Sequence, residues 1–160
     1  MVNFGFIFGV IVMLFVARYA ESLSWEVIKC GEGLCGIGQY CYTDPDNSSH
    51  CLLTSELDQL EIKQSLEKTW IEKNKQFSLY RVAIINIGDE KITHVVLGID
   101  YTLNLRDNTS MWNIKYDDLY GYLSLPEHVK YISPNSSHIF GYIVKGHTSP
   151  NMVIRSVSCK

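Results

Sequence analysis

The 160-residue chain carries 14 Lys and Arg against 17 Asp and Glu, a formal net charge of -3, with its basic residues scattered singly. That balance leaves no electrostatic footprint for nucleic acid, whose phosphates demand clustered positive charge. With 46% apolar residues, the length supports one domain with a real core and excludes two.

From Phe4 to Ala17 every residue is apolar or Gly. The run falls short of the roughly 20 apolar residues that cross a bilayer and suits the apolar region of a signal peptide. Positive charge ahead of it comes from the amino terminus alone. Small residues follow in peptidase spacing, Ala20-Glu-Ser22 and Ser22-Leu-Ser24. Cleavage is therefore expected after Ser22 or Ser24, with 1–22 as the signal peptide. No second apolar stretch follows, and the tail Val153–Lys160 is neither a lipid-anchor signal nor a retention tetrapeptide. The mature chain is expected to be secreted, extracellular and free of the membrane.

Residues 23–55 form a Gly-, Cys- and turn-rich segment in which neither strand nor helix periodicity survives. Cys30, Cys35, Cys41 and Cys51 crowd into it. In an oxidising compartment they read as two disulfides stapling a small collar, and four cysteines allow three connectivities. Zinc is the competing reading, but the spacing C-x4-C-x5-C-x9-C lacks paired C-x2-C knuckles. Cys159 stands apart beside the C-terminus; it stays free, displaces one of the four, or links a disulfide-bonded partner. Sequons at Asn47, Asn108 and Asn135 sit among polar turn residues and are expected to carry glycans.

Residues 56–160 change to strand patterning. Leu60, Ile62, Leu66 and Trp70 share one parity, with Glu61, Lys63, Ser65, Glu67 and Thr69 on the other. A turn around Asn74-Lys75 leads into Phe77–Asn86, and Gly88-Asp89 turns the chain into Ile92–Tyr101. Shorter strands are expected around Trp112, Tyr120–Leu125 and Val129–Ile132, then His138–Val144 and Met152–Ser158. Seven or eight short strands separated by turn signals predict an all-β fold, an antiparallel β-sandwich preceded by a short disulfide-rich segment. A closed barrel is the alternative.

Catalytic constellations are missing from the sequence. The five histidines, His50, His94, His128, His138 and His147, form no H-E-x-x-H pair, and neither a G-x-S-x-G elbow nor a P-loop occurs. Glycoside hydrolysis needs two carboxyls about 5 to 9.5 Å apart. Glu61 and Glu67 share a strand face at roughly 20 Å, from six residues at about 3.3 Å each. Asp117 and Asp118 are adjacent and so point to opposite faces. No cofactor, metal or enzymatic activity is expected.

Aromatic residues make up 12% of the chain and concentrate in strands and adjoining turns. The apolar face of a pyranose stacks on Trp or Tyr while its hydroxyls bond to amides and carboxylates. The same rings also build ordinary sandwich cores. Trp70 shares the parity of Leu60, Ile62 and Leu66, whereas Trp112 follows a polar Asn-Thr-Ser turn that favours exposure.

From about Glu61 to Ser158 the chain resembles carbohydrate-binding module family 49, the cellulose-binding domain of plant endoglucanases and of amoebal wall and matrix proteins. The matching residues are Trp70-Ile-Glu-Lys-Asn, Tyr80-Arg-Val-Ala-Ile-Ile-Asn86, Ile92–Leu97, Met111-Trp112-Asn, Tyr122-Leu-Ser-Leu-Pro126, Ile132–Ile143 and Pro150-Asn-Met-Val-Ile. The resemblance implies a sandwich that binds cellulose or related β-glucan through surface aromatics and performs no reaction. By position, Trp70, Phe77, Tyr80 and Trp112 are the implied carbohydrate-binding platform. Phe77 stands where Tyr is common, Leu79 is aliphatic in a neighbourhood often aromatic, and Asn135 replaces a turn Gly. The expectation is a secreted, non-catalytic polysaccharide binder of a cell wall, spore coat or matrix. The alternative is a structural or protein-binding sandwich without a glycan.

Overall fold

A computed structural model describes residues 27–160; the expected signal peptide and both cleavage sites lie outside the described residues. The chain runs through β1 (Ile28–Cys30), β2 (Gly33–Cys35), β3 (Gln39–Thr43), β4 (Ser49–Leu53) and a 3-10 turn at Thr54–Glu56. It continues as β5 (Leu60–Glu72), β6 (Lys75–Asn86), β7 (Ile92–Ile99) and β8 (Met111–Trp112). The last four strands are β9 (Lys115–Asp117), β10 (Tyr122–Ser124), β11 (Ser137–Lys145) and β12 (Met152–Cys159).

These strands make two principal sheets, β4-β3-β12-β7-β10-β9 and β5-β6-β11-β8, and a small β1-β2 ribbon. The two large sheets face each other across one core. Val82, Ile84, Phe140 and Tyr142 of one sheet meet Tyr40, Val95, Leu97, Leu123 and Val157 of the other. Two separate sheets make this a β-sandwich and not a closed barrel. Ladder pairs are antiparallel except β3 beside β12, which run parallel with Cys41 opposite Ser156. Where a strand was expected at Val129–Ile132, Ile132 makes only a single bridge with Ile92.

Local chemistry explains the long β5–β6 hairpin. Lys73 and Asn74 have φ of 48° and 61°, and Glu72 pairs with Lys75 across them. Positive φ at both central residues gives the tight turn whose twist matches paired strands. A β-bulge between Leu66 and Lys68 then breaks the alternation of β5. Leu60 and Ile62 pair with the buried Asn86 and Ile84, on the core face, whereas beyond the bulge Trp70 pairs with Phe77, on the opposite face. The uninterrupted parity that placed Trp70 with Leu60, Ile62 and Leu66 is thus corrected by one extra residue.

The cysteine-rich segment is part of the sandwich, which corrects the expectation that no strand pattern survives in residues 23–55: β3 and β4 belong to the six-stranded sheet, and only β1-β2 stands apart as a ribbon. Disulfides join Cys30 to Cys41 and Cys35 to Cys51, so β1-β2 is held against β3-β4 and the sulfurs are not zinc ligands. β3 alternates in turn: Cys41 joins the disulfide cluster, while Tyr40 and Tyr42 enter the sandwich core. With sequence separations of 11 and 16 residues, each bridge stabilises by about 3 kcal/mol through loss of unfolded-chain entropy. Cys159 is 2% exposed and its thiol points at Gln59 Oε1, 3.5 Å away. The expected route to a disulfide-linked partner is therefore corrected: β12 buries that sulfur in the core.

Candidate functional site

The outer face of β5-β6-β11-β8 follows from strand parity. On β6, Ser78, Tyr80, Val82, Ile84 and Asn86 are buried, leaving Leu79, Arg81, Ala83 and Ile85 to point outward. Tyr142 and Gly141 of β11 pair with Met111 and Trp112 of β8, and Met111 packs against the core. Trp112 accordingly faces outward, in one row with Gly141 and Arg81.

Gly141 decides how that indole lies. A Cβ built on it would meet Trp112 Cζ2 at 2.3 Å, so the ring rests on the bare backbone of β11. A glycine inside a strand marks such a close approach. Trp112 remains 45% exposed. Its support is fixed by hydrogen bonds from the next residue: Asn113 Nδ2 donates to the Ile139 carbonyl. Asn113 has a φ of 60°, and its own carbonyl lies 2.7 Å from His138 Nε2. A shallow depression of about 290 Å³ opens beside the indole, lined by Leu79, Ile139, Arg81, Glu67 and Asn113 among others. An apolar floor with a guanidinium, a carboxylate and an amide at its rim suits a sugar ring, whose faces are apolar and whose edges carry hydroxyls.

Trp70 lies on the same face at the hairpin end. It is half-buried, with its ring centroid 5.9 Å from that of Phe77. Trp70 and Trp112 are separated by four residues along the strands and three strand spacings, roughly 13 Å by 14 Å. Leu79 and Gly141 lie on the diagonal between them. The structure therefore brings three of the four implied platform residues, Trp70, Phe77 and Trp112, to one face, and leaves the two tryptophans accessible on it.

Phe77 and Tyr80 do not offer ring faces to a polysaccharide. Each is 7% exposed. Phe77 is covered by Trp70, its direct cross-strand partner. Tyr80 has core parity: its ring stacks on Tyr142 at 5.3 Å and its hydroxyl donates to the His147 carbonyl. Burial, followed by the proximity of Tyr80, raises the Tyr142 hydroxyl well above its ordinary range, and Tyr142 stays a neutral donor to Gln64 Oε1 at 2.7 Å. This aromatic pair ties β6 to β11, and through Gln64 to β5, on the core side of the four-stranded sheet. The contributions of Gly141, Arg81 and Glu67 were missed; Gly141 left a sequence signal as a glycine within a strand.

Asn47, Asn108 and Asn135 are all exposed, and Asn47 and Asn135 adopt φ of 67° and 55° in tight turns. No sequon lies in a strand of the outer face.

Comparison with known proteins identifies the family. The profile of the carbohydrate binding domain CBM49 matches residues 60–145, a span that begins at β5 and ends with β11 and so contains the whole Trp70–Trp112 face. Stalk-specific proteins A and B of Dictyostelium discoideum are each 32% identical over 151 residues, covering 91% of this chain and 93% of theirs. A solved structure, chitinase ChiA74 from Bacillus thuringiensis, is similar with 17% identity and a TM-score of 0.46 over 80% of this chain and 23% of its own. That weak likeness carries no weight here. The profile match and the two full-length relatives place the chain in the CBM49 family of non-catalytic carbohydrate-binding modules.

Proposed function

We propose that this protein is a secreted binder of cellulose or a closely related β-glucan in a cell wall, spore coat or extracellular matrix. The polysaccharide docks on the outer face of β5-β6-β11-β8, with Trp112 and Trp70 as its stacking rings. The observation that carries this reading is the Trp112 indole, laid on Gly141 and still 45% exposed. A ring held flat in advance loses little side-chain entropy on binding. The span between the two tryptophans suits an extended chain better than a single sugar. Three exposed sequons and two disulfides fit an exported chain, and two relatives named for the stalk fit an extracellular matrix. N-glycans at Asn47, Asn108 and Asn135 leave the strands of the binding face clear.

The test is retention on microcrystalline cellulose of the protein purified from culture medium, beside Trp112→Ala, Trp70→Ala and Tyr80→Phe. Retention of wild type and Tyr80→Phe with loss in the two tryptophan variants is the expected result. Equal retention of folded Trp112→Ala removes the platform from this face. No retention of wild type on cellulose, xylan or chitin removes the polysaccharide reading and leaves a structural sandwich.

A further inference from the structure

A second aromatic surface lies on the other sheet, built by different residues. Gly121 has a φ of 65°, and a Cβ there would come within 2.8 Å of the Ile99 carbonyl oxygen. This left-handed glycine closes tightly against β7, where Ile99 N donates to the Gly121 carbonyl at 2.8 Å. Tyr120 and Tyr122 on its two sides come together with centroids 6.0 Å apart and planes inclined by only 23°. Tyr120 is 62% exposed. Tyr122 pairs with Gly98, and Gly98 pairs on its other side with Val153. Leu123, of opposite parity, is fully in the core, so Tyr122 points away from it.

Beside the tyrosine pair is a cleft of about 530 Å³, within the range that ligand sites occupy. Its far wall is polar. Asn151 Nδ2 donates to Asp100 Oδ2 at 2.8 Å, and the Thr102 amide donates to Asp100 Oδ1 at 3.0 Å. The Arg155 side-chain stem fills the space over Gly98. One carboxylate and one guanidinium leave the lining without surplus charge. A neutral ligand with an apolar ring face and hydroxyl edges matches an aromatic wall opposed by a carboxylate–amide wall.

We propose that the cleft between the Tyr120–Tyr122 pair and the Asp100–Asn151 wall is a second carbohydrate site, taking a single chain of the neutral β-glucan. It rests on the polysaccharide reading above and adds to it. The Trp112 face belongs to the four-stranded sheet. The tyrosine cleft is concave and belongs to the six-stranded sheet, so one molecule presents a glycan contact on each of its two sheets.

The experiment isolates the cleft by titrating cellohexaose calorimetrically into Trp112→Ala, Trp112→Ala/Tyr120→Ala and Trp112→Ala/Tyr120→Phe. Cellulose retention of wild type and Tyr120→Ala is measured in parallel. Because Tyr120 is largely exposed, its replacement preserves folding, which thermal melting checks. The expected result is cellohexaose binding by Trp112→Ala and affinity lowered roughly tenfold by adding Tyr120→Ala, the scale of one lost ring contact. Tyr120→Phe restores most of it, and Tyr120→Ala alone stays on cellulose. Absence of cellohexaose binding by Trp112→Ala, or equal affinity with and without the Tyr120 ring, overturns the second site while wild-type retention leaves the first standing. If wild type neither stays on cellulose nor binds cellohexaose, both readings fall.

Discussion

Substituting Gly141→Ala probes the binding face through a single methyl group. The new Cβ would sit 2.3 Å from Trp112 Cζ2, far inside van der Waals contact, so the indole must leave the backbone of β11. A tryptophan buries roughly 150 to 250 Å² when fully packed. At 45% exposure somewhat more than half is covered, about 80 to 140 Å² and roughly 100 Å² near the middle of that range. At about 25 cal/mol per Å² its loss costs about 2.5 kcal/mol. Removing a strand glycine returns about 0.5 to 1 kcal/mol. The net expectation is a loss of about 1.5 to 2 kcal/mol, read as a melting temperature lower by roughly 5 to 8 °C. Cellulose affinity should fall about as far as in Trp112→Ala, because a displaced ring no longer presents its face. The assay is a double-mutant cycle with Trp112→Ala, scored by thermal melting and cellulose retention. Once the indole is absent the alanine has nothing to strike, so Gly141→Ala should be neutral or slightly stabilising in that background. An equal penalty in both backgrounds would refute the packing argument, and wild-type affinity in Gly141→Ala would refute the claim that a flat indole is what binds.

Three further outcomes follow from the same geometry. Tyr80→Phe should lose about 1 kcal/mol in denaturant unfolding, from the missing bond to the His147 carbonyl, with cellulose retention unchanged. Cys159, whose thiol is pushed up by burial above all, should remain unmodified by iodoacetamide at pH 8 in the folded protein and react fully in guanidinium. Its thiolate fraction rises with pH, so any native labelling should increase above pH 9, and the unreduced protein should run without an intermolecular disulfide. Replacing Cys30 and Cys41 together by Ser should lower unfolding free energy by about 3 kcal/mol. Peptide mapping of the wild type should find Cys30 with Cys41 and Cys35 with Cys51.

Much of the fold was legible because strands of a two-faced sheet alternate. Leu60 and Ile62 of β5 read that way and do pack on the core, whereas in β6 and β11 apolar residues fall on both parities, and only the fold shows that Val82, Ile84, Phe140, Tyr142 and Val144 are the buried ones. The site was less legible, because it depends on which face each ring meets. Tyr80 and Trp112 are both aromatic residues on strands, yet one is 7% and the other 45% exposed. Trp70 was assigned to the wrong parity because nothing in Leu66-Glu-Lys68 announces the bulge between β5 and β6.

The sequence alone determined the sandwich class, the family and the crowding of four cysteines into one short segment, since strand-forming runs, turn residues and cysteine density are local properties. Only the tertiary structure decided three long-range matters. It paired the cysteines, it joined β3 to β12 across more than a hundred residues, and it laid Trp112 on Gly141. Each depends on which strand lies beside which. Strand order and register arise when the whole chain buries its apolar face at once, and no window of sequence short enough to read locally contains that choice.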